Sequence, residues 1–91
     1  MNHIVNRESD AMKTFSSESY NVANEMEYVC SHLKQVLYDA NCYMQDKSGQ
    51  EAISIVEELI EDISVAVGFV RSLADQIKKS AELLEESDTL M

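Results

Sequence analysis

Two histidines, two cysteines and seventeen carboxylates are the side chains with which this chain of 91 residues could do chemistry. A helical metal site needs ligands three or four residues apart, and around His32 those places hold Tyr28, Val29, Gln35 and Val36. His3 stands alone near the N-terminus. Carboxylate pairs such as Glu57 with Glu61 and Glu58 with Asp62 have the spacing of a helix face, which is normally solvated rather than metal-binding. A phosphotransfer histidine would want a lysine three residues on with a small residue after it, but after His32 the lysine is Lys34 and the third place is Gln35. Cys30 and Cys42 are twelve residues apart, about 18 Å along one helix, too far to bridge. Cys30 fits a small core position and Cys42 a free thiol, and a reducing compartment of synthesis follows. With no glycine-rich phosphate loop, nucleophile elbow or Cys-His pairing, the expectation is no catalytic residues, no metal and no cofactor.

The elements that would carry these groups are helices. There is no proline, there are only two glycines, and 45% of the residues are hydrophobic. From Met12 through Phe15, Ser19, Val22, Met26, Val29, Leu33, Val36 and Ala40 to Tyr43, steps of three and four alternate without a slip. Ala23, Cys30, Leu37 and Met44 widen that stripe on one side. A second stripe runs from Ile53 through Val56, Ile60, Ile63, Val67, Val70, Ala74, Ile77 and Ala81 to Leu84, with Asp88 as its break and Met91 after it. Flanking rows that include Leu59, Leu73, Ile55 and Phe69 leave more apolar surface than one antiparallel neighbour covers, so a further helix is expected on it.

Between the stripes, residues 45–51 combine turn residues with a loss of apolar character. Ser48 followed by Glu51 has the spacing of a capping box, with Gly49 between them. The fold class predicted is all-α: an antiparallel two-helix hairpin, helices about 8–45 and 49–87, forming a four-helix bundle with a partner. It is one domain over 1–91, with flexible tails at 1–7 and 88–91. Asn6 and Ser9 are both possible caps of the first helix, and the polar run Ser16-Ser17-Glu18-Ser19 could fray its opening turns. Gly68 falls on the outward row of the second helix, either tolerated there or marking a close contact.

A net charge of −10 repels nucleic-acid phosphates and anionic membranes. It serves solubility or orients the chain toward a basic partner. No basic-then-apolar leader opens the sequence and the longest apolar runs, such as residues 65–70, are too short to span a bilayer, so cytoplasmic synthesis without membrane insertion is expected. The residues expected to meet a partner are Phe15, Val22, Met26, Val29, Leu33 and Val36 on the first helix and Val56, Ile60, Ile63, Val67, Val70 and Ile77 on the second.

A short acidic helical hairpin with a glycine in its central turn and an aspartate near its end resembles the small WXG-type (ESAT-like) proteins of bacterial type VII secretion. It looks most like the small helical partners of LXG-type toxins. Ser48-Gly49 supplies the glycine of the family's turn motif without its tryptophan. Leu84 and Asp88 match the spacing of the family's aromatic and acidic export pair, with leucine in place of the aromatic. On a helix, residues four apart share a face and present an apolar contact and a charge together. The resemblance implies a non-catalytic adaptor, chaperone or targeting factor that pairs with a toxin's N-terminal helices, with export through the type VII system as a further expectation. A generic self-associating hairpin, structural or regulatory, needs the same stripes but no special C-terminus.

Overall fold

A computed structural model describes the backbone of residues 3–90 and the side chains of residues 7–87. Two helices account for it, α1 over His3–Asn41 and α2 over Lys47–Leu90, and no strand occurs among the described residues. The all-α hairpin expected from the heptad pattern is therefore the fold. Its boundaries move: α1 begins at residue 3 rather than 8 and ends at 41 rather than 45, while α2 begins at 47 rather than 49 and runs to 90 rather than 87. Nothing in residues 3–7 or 88–90 breaks a helix, because neither segment contains proline or glycine.

The cap of α2 differs from the expected Ser48/Glu51 box. The amide of Gly49 donates to Oδ1 of Asp46 at 2.8 Å, and the amide of Gln50 donates to the Asp46 carbonyl at 2.9 Å, so Asp46 is the N-cap. A carboxylate accepts more strongly than a hydroxyl, and starting at Asp46 puts Gly49 in the first helical turn. Gly49 is buried there with an ordinary backbone conformation. A Cβ on it would lie 2.7 Å from Oδ1 of Asp46 and 2.8 Å from Cβ of Met44, so the residue is glycine for room rather than for an unusual φ. Two glutamines close the turn: Gln45 Nε2 donates to the carbonyl of Asn41, the last residue of α1, at 2.9 Å and Gln50 Nε2 to the loop carbonyl of Met44 at 2.6 Å.

The hairpin divides into two compact units. The central unit is Asn24–Gly68, and the terminal unit joins Met1–Ala23 to Phe69–Met91. In the central unit the buried apolar residues are Cys30 on α1 and Ile53, Ile60 and Val67 on α2. In the terminal unit they are Ala23 on α1 and Ala74 and Ala81 on α2, joined by two buried serines, Ser9 and Ser16. The centre of the seam is thus the row Ser9, Ser16, Ala23, Cys30, repeated every seven residues. The row of Phe15, Val22, Val29 and Val36, which the alternating pattern put in the seam, lies beside it and is 50–57% exposed.

Candidate helix-docking face

The serines that looked like caps or a frayed end pin the terminal unit together. Ser16 Oγ donates to the Ala74 carbonyl at 2.8 Å. Ser9 Oγ lies 2.6 Å from Oε1 of Glu85 and 3.3 Å from the Ala81 carbonyl, and its single proton favours the closer carboxylate. A hydroxyl one bond beyond Cβ can touch the opposite backbone only where the helices approach closely, which Ala74 and Ala81 permit. In the central unit Cys30 Sγ makes the corresponding, longer contact to the Ile60 carbonyl at 3.7 Å and lies 3.5 Å from Oγ of Ser64. A step of seven forward in α1 is matched by seven back in α2, from Ser9 opposite Ala81 to Ser16 opposite Ala74.

Helix geometry then fixes what flanks the seam. In an antiparallel pair, the residue one before and the residue three after each seam position turn to the same side on both helices. In the central unit that side carries half-buried Met26 and Leu33 on α1 with Val56 and Ile63 on α2. One row further out come Val29 and Val36, each 50% exposed, and Leu59 at 49%. In the terminal unit the same side carries half-buried Met12, Val70 and Ile77, then exposed Phe15, Val22 and Leu73. The central unit therefore has an apolar face of two adjacent rows from each helix, while in the terminal unit Ser19 and Ser80 interrupt the corresponding rows.

The opposite side is polar in both units. An open groove of the central unit is lined by Lys34, Ser54, Glu57, Glu58 and Glu61 around the edge of Ile60, and one of the terminal unit by Lys13, Ser17, Asn21, Lys78 and Glu82 around the ring of Tyr20. Lys13 Nζ pairs with Oε1 of Glu85 at 2.6 Å. The hydrogen bond from Lys13, then that from Ser9, holds the Glu85 carboxyl below its usual range, and the bond to Glu85 raises the Lys13 ammonium above its own.

Of the twelve expected partner-facing residues, Phe15, Val22, Val29 and Val36 are exposed, while Met26, Leu33, Val56, Ile63, Val70 and Ile77 are half-buried. Ile60 and Val67 are buried within the hairpin and are not available to a partner. Ser9, Ser16, Gln45, Asp46 and Gln50 carry structural roles that the sequence reading missed. The signal for the serines was their place in the seven-residue row of small side chains ahead of Ala23 and Cys30. Of the export pair, Leu84 is half-buried near the end of α2, and the Asp88 side chain lies outside the described residues.

His32 is exposed and lies on the side of α1 turned away from Lys34, so the two do not converge. Cys30 and Cys42 are free thiols, one buried and one exposed. Among the described residues no group of three His, Cys, Asp or Glu side chains is placed to hold a metal ion, and no helix is long and apolar enough to cross a membrane. No family model, curated protein or solved structure matches the chain.

Proposed function

We propose that this chain is a non-catalytic adaptor that pairs with helices of another protein. One observation carries the reading: the row Phe15, Val22, Val29 and Val36 stays at least half exposed although its own hairpin is complete. Burying the exposed half of a valine or leucine is worth about 1 kcal/mol, and a partner helix along either face would cover several such residues at once. The helices supply the rigid scaffold and the apolar rows supply the contact. By the WXG-type resemblance, the client is the N-terminal helical region of an LXG-type toxin bound for type VII export, with Leu84 and Asp88 presented to the export apparatus.

The test pairs co-purification with variants that spare the fold. Val29→Asp, at a half-exposed position, is expected to keep the helical circular-dichroism spectrum while releasing the partner, whereas Ser54→Asp on the polar side retains it. The purified pair should then reconstitute and sediment as one species. A Val29→Asp chain that still holds its partner would remove the face from consideration. A wild-type chain that only pairs with itself would leave the self-associating structural module as the reading. For the export signal, Asp88→Ala should leave pairing intact and block export of the partner. It is a cleaner change than removing residues 85–91, because Glu85 is bonded to Ser9 and Lys13.

A further inference from the structure

We infer that the apolar face of the central unit takes an amphipathic helix of another protein whose apolar stripe is flanked by lysine and arginine. This occupant rests on the helix-pairing reading above and adds the chemistry of its partner. Beyond Val29 and Val36, the next row of α1 holds Glu25, His32 and Asp39, all exposed. Beyond Leu59, the next row of α2 holds Ile55 and Asp62, both exposed. The border therefore contains three carboxylates and neither lysine nor arginine.

The unit's only two lysines are elsewhere, and it has no arginine. Lys34 lines the polar groove on the far side of the seam, and Lys47 opens α2. Within Asn24–Gly68 there are nine carboxylates against these two lysines, so no cation of the unit offsets the border charge locally. When two helices pack, the residues bordering the apolar stripe lie across from the partner's border residues and select it by charge. A second copy of this chain would bring mostly acid or apolar side chains, with His32 as the one imidazole, against Glu25, Asp39 and Asp62. A basic-bordered helix would pair with each of them while its stripe covers Val29, Val36 and Leu59.

The experiment uses the full chain and two labelled helical peptides about three heptads long with the same apolar stripe, one bordered by lysine and the other by glutamate. At about 50 mM salt the lysine-bordered peptide is expected to bind about ten-fold more tightly, with the gap shrinking at about 0.5 M as the charges are screened. Substituting Glu25→Gln, Asp39→Asn and Asp62→Asn together should abolish most of that preference. Substituting Glu51→Gln, Glu57→Gln and Glu61→Gln, three charges off the face, should preserve it. Equal affinity for the two peptides, or an equal loss from both triple variants, would overturn the charge selection while leaving helix pairing in place. Binding of neither peptide by a chain that sediments as a monomer would overturn both. A stable homodimer that the lysine-bordered peptide does not displace would give the face to a second copy and overturn the inference.

Discussion

The two units solve the same packing problem with different materials. The central unit buries one small residue, Cys30, together with the larger Ile53, Ile60 and Val67, and its cohesion is burial of branched aliphatic surface. The terminal unit has only serine and alanine at its buried centre, surrenders most of that apolar burial, and compensates with close approach and with the Ser9 and Ser16 hydroxyls. Each such hydrogen bond contributes about 1 kcal/mol net, comparable to one buried methylene. Charge follows the same division: nine carboxylates and two basic residues in the central unit, eight and five in the terminal one. The lesson is that one heptad repeat carries two kinds of cohesion, one sensitive to lost volume and the other to added volume.

Mutations that exchange the two kinds of side chain test this contrast directly. The largest effect is expected from Ile60→Ala, which removes the buried centre of the aliphatic seam and should cost about 2–5 kcal/mol in chemical denaturation. A loss under about 1 kcal/mol would show that cohesion lies elsewhere. Next, Ala74→Leu inserts bulk where the helices touch through Ser16 and should cost about 1–3 kcal/mol, so a neutral result would mean the terminal seam is looser than its hydrogen bonds imply.

The two glycines should then give opposite signs. Gly49→Ala forces a Cβ against Met44 and Asp46 and should lose about 1–2 kcal/mol. Gly68→Ala meets nothing within 4 Å and should gain about 1 kcal/mol from helix propensity. Thermal melts of both variants, side by side, would read the difference.

The smallest expected effect belongs to the exposed Lys13 and Glu85 pair. Because the folded-state pKa of Glu85 lies below its usual 4.5, its contribution is present above that value and lost as pH falls through the depressed one. The Lys13 contribution is present below its usual 10.5 and lost as pH rises through its raised value. Glu85→Gln should therefore flatten the acid limb of a stability profile below about pH 4.5 and leave the neutral region nearly unchanged. An unaltered acid limb would detach the pair from the fold.

The hairpin was legible because the three-and-four alternation survives along both helices and its one interruption contains glycine. The choice among adjacent rows was not. Hydropathy favours Phe15, Val22, Val29 and Val36, but packing selects the row in which Ser9, Ser16, Ala23 and Cys30 are small enough to let the backbones approach. Serines score as polar, and their bonds to acceptors on the opposite helix require a partner helix that local sequence does not reveal. The turn is legible in the sequence to within a few residues, but its cap is not, because Asp46 and Ser48 are both good caps two residues apart. What separates them is the crowding around Gly49, a three-dimensional fact. The broad apolar face was legible as a surplus of stripe, and the one-sided grouping of carboxylates beside it emerges only when the rows of the two helices are brought together.

The matched ladder of Ser9 with Ala81 and Ser16 with Ala74 also restricts how this molecule can change in length. Sliding one helix by a single turn would present Lys13 or Met12 to an alanine backbone in place of a hydroxyl, so intermediate registers are closed. Removing residues 10–16 together with 75–81 would instead set Ser9 opposite Ala74 and restore the rung. Growth and shortening of such a chain should therefore proceed like cutting a zip, a whole number of teeth from both tapes at once.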